Sequence, residues 1–164
     1  MATRPIMAIE IAKNMSGNPR ILSAPEGASQ TFLKGALLAW SSGYVVEAST
    51  DETRILGIAA APGQNTTAGA AKTLFYPLQG NIFEANLAQA ATDTTSAATD
   101  QGTAYGITIR STGTTHWIVD SSKTTTYCRC RILGFAEPSV ATDVDARVLI
   151  TFFAANDELA AMDA

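Results

Sequence analysis

The sequence predicts an all-β protein, a small antiparallel β-barrel or two-layer β-sandwich with an extended N-terminal arm. Three observations predict it. Residues 32–40, 44–48 and 54–62 are apolar runs of strand length separated by short polar turns, the pattern of a β-meander. The same design returns in residues 105–110, 117–120 and 127–135. Both passages close on Arg-Ile-Leu-Gly, beginning at Arg54 and Arg131, then an apolar residue, alanine and soon a proline, so two related half-sheets are expected in one domain, with true duplication left open. Third, apolar residues alternate: Tyr105, Ile107 and Ile109 oppose Gly106, Thr108 and Arg110, while Cys128 and Cys130 oppose Tyr127, Arg129 and Arg131. This places the cysteines toward the core and the arginines outward.

Taken in order, residues 1–31 read as an arm and 32–164 as a single β-rich domain. Met7, Ile9 and Ile11 alternate with Ala8 and Glu10 in one short strand, after which Asn, Ser, Gly and Pro break the pattern. Such an arm packs on its own barrel edge or reaches a neighbour, because an exposed apolar strand invites pairing. Gly43 closes a tight turn, and Gly57 and Gly134 permit a bulge or bend inside apolar strands. Residues 72–78 and 81–85 form two short pieces, the first assigned to a sheet edge by Pro77. Residues 86–102 read as at most one helical turn and then loop. Residues 147–153 are apolar on both faces, the mark of a central strand.

Composition narrows the function. Only 16% of the 164 residues are charged, against about 25% in a typical soluble domain. A surface of small neutral side chains loses little rotamer entropy when another chain covers it, which suits a protein of contacts. The net charge of −4 argues against nucleic-acid binding, since no basic stripe is available to displace counterions. Arg4, Lys13 and Arg20 make the N-terminal stretch basic, and Asp157, Glu158 and Asp163 make the end acidic, a pattern that serves solubility at chain ends or lets the two meet between subunits or seek opposite surfaces on a partner. No run approaches the roughly 20 apolar residues of a membrane helix, and no secretory signal opens the chain, so synthesis in a cytoplasm is expected. Cys128 and Cys130, poorly placed for a disulfide, fit a reducing compartment.

Reactive constellations are missing from the pattern. His116 is the only histidine, and no Gly-x-Ser-x-Gly elbow presents a serine. Cys128-x-Cys130 is half a zinc site, and Asp143-x-Asp145 lacks the glycine and closing glutamate of a calcium loop. No phosphate-binding glycine motif occurs. The expectation is no enzyme, no cofactor and no metal. Trp40, Tyr44, Phe75 and Tyr76 are candidate interface anchors, because aromatic residues dominate contact energy between chains. The arm residues Arg4, Met7, Ile9, Ile11 and Arg20 join them.

The stretch Phe32-x-x-Gly35-Ala36-Leu37, then Gly43-Tyr44-Val45-x-x-Ala48 and Ile55-Leu56-Gly57-Ile58-Ala59, resembles the capsid cement, or head decoration, proteins of tailed bacteriophages. The likeness covers residues 30–85; the long arm and the second Ile-Leu-Gly passage depart from it. It implies a non-enzymatic β-rich protein on the outer capsid surface, binding the major capsid protein and itself as a homo-oligomer, a trimer rather than a dimer. The alternative from another class is a carbohydrate-binding or adhesin-like β-sandwich module, which needs an exposed aromatic platform.

Overall fold

The computed structural model describes residues 1–14, 17–111, 115–125 and 127–159. Its eleven strands are β1 Glu10–Asn14, β2 Leu22–Pro25, β3 Leu37–Ser41, β4 Tyr44–Glu47, β5 Gly57–Ala59, β6 Lys72–Pro77, β7 Asn81–Ala88, β8 Ala104–Ile109, β9 Trp117–Asp120, β10 Cys130–Phe135 and β11 Arg147–Phe152. The fold is all-β, as the alternation requires. Strands β7-β11-β10-β8-β9 form a barrel, closed where β9 returns to run parallel to β7 through Leu87–Val119 and Ala88–Asp120. On the remaining edge of β7 lies β1, antiparallel, with Glu10 opposite Glu84 and Asn14 opposite Asn81. The other sheet, β2-β6-β5-β3-β4, curls until Glu26, directly after β2, bridges Val45 in parallel and the Gly27 N–H donates to the Val45 carbonyl at 2.8 Å.

The two sheets repeat one topology in one register. Leu22 pairs with Phe75 as Phe83 pairs with Ile150, and Ala59 faces Phe75 as Ile132 faces Ile150. Leu38 faces Gly57 as Tyr105 faces Cys130; Trp40 faces Val45 as Ile107 faces Val119. Even the lead-in matches: the Gly35 N–H donates to the Ala59 carbonyl, and the Gly102 N–H to that of Ile132. The repeat does not run through the Arg-Ile-Leu-Gly phrase, because Gly57 corresponds to Cys130 and not to Gly134. Few matched strand positions keep the same residue, Ala24 with Ala85, Val45 with Val119 and Leu74 with Leu149 among them.

Four local expectations are corrected. Neither passage is a meander: the first strand of each triplet is central, β3 between β4 and β5, and β8 between β9 and β10. The third strand of each passage instead lies between the first and a further strand, β5 between β3 and β6 and β10 between β8 and β11. Residues 22–25, read as part of the arm, are barrel strand β2. Strand β6 is interior, between β2 and β5, and tolerates Pro77 because the proline is its last residue. Strand β7 runs on to Ala88 through polar Asn86, whose buried amide donates to the carbonyls of Asp145 and Pro5 and so stays satisfied.

One apolar cluster spans both sheets, with Leu38, Leu56, Ile58 and Phe75 from the first and Phe83, Leu87, Ile132 and Ile150 from the second. Each such side chain stabilises by about 1.5–3 kcal/mol on burial. Phe83 and Phe152 meet edge to face at 5.7 Å. Polar clamps lock the halves together. Arg129, expected to face outward, is buried, donating to the carbonyls of Glu52 at 2.6 Å and Asp51 at 3.1 Å, and the Trp117 indole donates to Glu47 at 2.9 Å. Lys123 pairs with Asp51 at the same junction.

Candidate interaction surface

The arm lies along its own second barrel. Thr3 bridges Val144 in parallel, the Met7 N–H donates to Asn86 at 3.0 Å, and the Ala8 carbonyl accepts from Arg147 at 3.1 Å. Its anchor is the Asp143 carboxylate, which accepts the Ala2 N–H at 2.9 Å and the Arg4 guanidinium at 2.8 Å. Those bonds, the Ala2 N–H foremost, hold Asp143 below the usual carboxylate range. Asp145 moves the other way: burial raises it, against the opposing pull of the Thr94 N–H and Arg110. The Asp143-x-Asp145 pair is thus two separate staples, one for the arm and one for the loop after β7. Among the described residues no group of carboxylates, cysteines and histidine is clustered to hold a metal.

The structure separates the predicted interface residues. Ile9 and Phe75 are core, only 1% and 2% exposed, and Ile11 packs against that core. Trp40 is half-buried; its backbone N–H donates to Glu158, whose carboxyl is raised by burial, while its indole nitrogen is buried with no partner among the described residues. Among the described residues Asp157 bridges Ile55 and Arg4 pairs with Asp143, while Leu159 shares a groove with Arg20; Asp163 lies outside the described residues. Tyr44 is half-buried, with its ring over Gly69. Ile9 and Ile11 are brought together with Tyr76 in a small groove of about 210 Å³ that also holds the charged pair Glu10 and Lys34. Arg20, exposed like Lys13, lines a larger groove of about 420 Å³ with Asn18, Leu22, Gln79 and Leu159.

The exposed residues that sequence reading missed are mostly aliphatic, with Tyr127 beside them at 45%. Ile21, Leu33, Leu74, Leu133 and Val140 are each about half exposed, between 44% and 53%. Leu74 and Leu149 are matched positions on the outer faces of the two sheets, and Leu133 adjoins Gly134, the partner of Leu149. Strand alternation in β6 carried this signal, because Phe75 inward requires Leu74 outward. Cys130 is buried, its thiol raised by desolvation, and Tyr105 is pushed up to about 12 by burial and its hydrogen bond to Asp100. Both are packing groups rather than reactive ones.

Comparison with known family models gives no match to this chain, and comparison with curated protein sequences gives none.

Proposed function

We propose that the chain is a non-enzymatic structural protein, a capsid cement or head decoration protein that binds the outer surface of a bacteriophage head and braces neighbouring major capsid protein subunits. One observation carries this reading. Each half presents a leucine at the same outward position, Leu74 and Leu149, the second extended by exposed Leu133. Leu74 is 44% exposed and Leu149 is half-buried beside Leu133 at 46%; outward leucines at matched positions suit contact with two like neighbours, and engaging both raises avidity without any new kind of contact. A glycan-binding module is the weaker reading, since the larger groove has amides but no aromatic ring in its lining on which a sugar would stack.

Purified protein mixed with undecorated heads and imaged tests the proposal. Leu74→Asp and Leu133→Asp should each lower occupancy of the head surface, and the double variant should abolish it. Full occupancy by a folded double variant rejects the reading. Sedimentation of the protein alone reports whether it forms the expected trimer.

A further inference from the structure

The repeat exposes a place that is filled in one half and open in the other. On β7, residues Asn81 to Glu84 are covered by β1, which pairs antiparallel with them. Leu22 matches Phe83 in register, so Arg20, Ile21, Leu22 and Ser23 match Asn81, Ile82, Phe83 and Glu84. Nothing in the described residues pairs with that edge: β2 is an end strand of its sheet, and its closing contact with β4 begins only at Glu26. The Glu26 N–H donates to Ala71 across β6. Two-residue alternation then turns the backbone groups of Ala24 and Leu22 toward β6 and those of Ser23 and Ile21 outward. No hydrogen bond joins the N–H or carbonyl of Ile21 or Ser23 to the described residues outside the β6 ladder. Ile21 is 51% exposed.

Where the chain before β2 parts from the end of β6 there is the groove of about 420 Å³, with Leu22, Pro77 and Leu159 as apolar lining and Asn14, Asn18 and Gln79 as amide donors and acceptors. Its cation, Arg20, pairs with no carboxylate among the described residues, in a chain that is net acidic. An unpaired strand edge is the arrangement that takes an added strand, the backbone supplying affinity and side chains along the edge, here Arg20, supplying specificity. We propose that the edge at Arg20 to Ser23 receives one extended segment of a partner protein as an antiparallel strand, in the place β1 holds on β7, and that this segment carries a carboxylate opposite Arg20. The inference concerns this edge whatever assembly the chain joins, and its test uses no capsid.

The probe is a fluorescent peptide with the sequence of residues 8–14, the segment containing β1, ending in aspartate in place of Asn14. Fluorescence anisotropy with the whole chain should show it binding at least tenfold more tightly than the same peptide ending in lysine. Ile21→Pro removes an outward N–H that has no partner in the fold, and should weaken binding tenfold or more with the thermal midpoint unchanged. Arg20→Glu, at an exposed site, should reverse the preference between the two peptides. Three results overturn the proposal: no binding of either peptide at millimolar concentration; binding indifferent to both variants, which indicates exchange with β1 on β7; or self-association abolished by Ile21→Pro, which makes a second copy of the chain the occupant.

Discussion

The two halves close by different means although their strands are laid out alike. In the second barrel the seam between β7 and β9 is a short parallel ladder with Leu87, fully buried, beside Val119. In the first sheet the matched residue is Glu26, also fully buried, and the seam is a single bridge. Its carboxylate accepts the Gln64 N–H at 2.7 Å and the Thr73 hydroxyl at 2.9 Å, tying the long 60–71 loop and β6 to the seam. A buried carboxylate stabilises only while its donors are in place. The lesson is that one topology is sealed by hydrophobic packing in one copy and by a hydrogen-bonded side chain in the other.

The sharpest way to break the comparison is at the matched pair Gly57 and Cys130. A Cβ on Gly57 would lie 2.4 Å from the Tyr76 carbonyl and 2.7 Å from the Phe75 ring, so Gly57→Ala should destabilise by about 3 kcal/mol or more. Cys130→Ala removes one buried sulfur and should cost about 1–2 kcal/mol. Urea midpoints of the two variants measure the difference; equal losses would mean the strands are not equivalently packed.

Exchanging the seams comes next. Glu26→Leu makes the first seam like the second but strands the Gln64 N–H and the Thr73 hydroxyl, each at about 1–3 kcal/mol when buried. Hydrogen exchange should show β2 and β4 opening while β7 and β9 keep their protection. Uniform loss of protection across both halves would show that the seams do not act separately.

A smaller contrast lies at Gly35 and Gly102, both left-handed, with φ of 84° and 79°. Alanine there costs about 1–2 kcal/mol for the backbone alone. At Gly102 the added carbon meets nothing, whereas at Gly35 it meets the backbone of Ile9 at 2.7 Å. Gly35→Ala should therefore lower the thermal midpoint clearly more than Gly102→Ala, and should also loosen the segment before β1.

The gentlest probe is acid. The folded Asp143 titrates below its unfolded value of about 3.9. Its contribution is therefore fully present above about pH 4 and is lost as pH falls through the lower folded value. Protease cleavage near Arg4 should rise in that window in the wild type. Asp143→Asn should show high cleavage already at neutral pH, with little further change.

The fold class was legible because side-chain alternation is local: Phe75, Tyr105 and Cys130 declare an inward face from their neighbours in the chain. Pairing order was not, since nothing in residues 44–48 says whether that strand lies between its neighbours or outside them. The site was read from the arm and from four aromatic residues, yet Phe75 became core while Tyr127 and several aliphatic residues stayed exposed, because packing decides which large side chains remain uncovered. Glu26 read as a turn residue in the arm, and its burial depends on donors far along the chain.

By itself the sequence determined that this chain is β throughout, that its apolar residues suffice for a core without a disulfide, and that two passages share a design. Those are properties of composition and nearest-neighbour pattern. Only the tertiary structure decided that the halves match in register through Gly57 and Cys130, that one seam needs a carboxylate and the other a leucine, and that β1 covers β7 while β2 keeps an open edge. Each of these is a contact between residues distant in the chain, fixed by which backbone groups and side chains find partners once the barrels close.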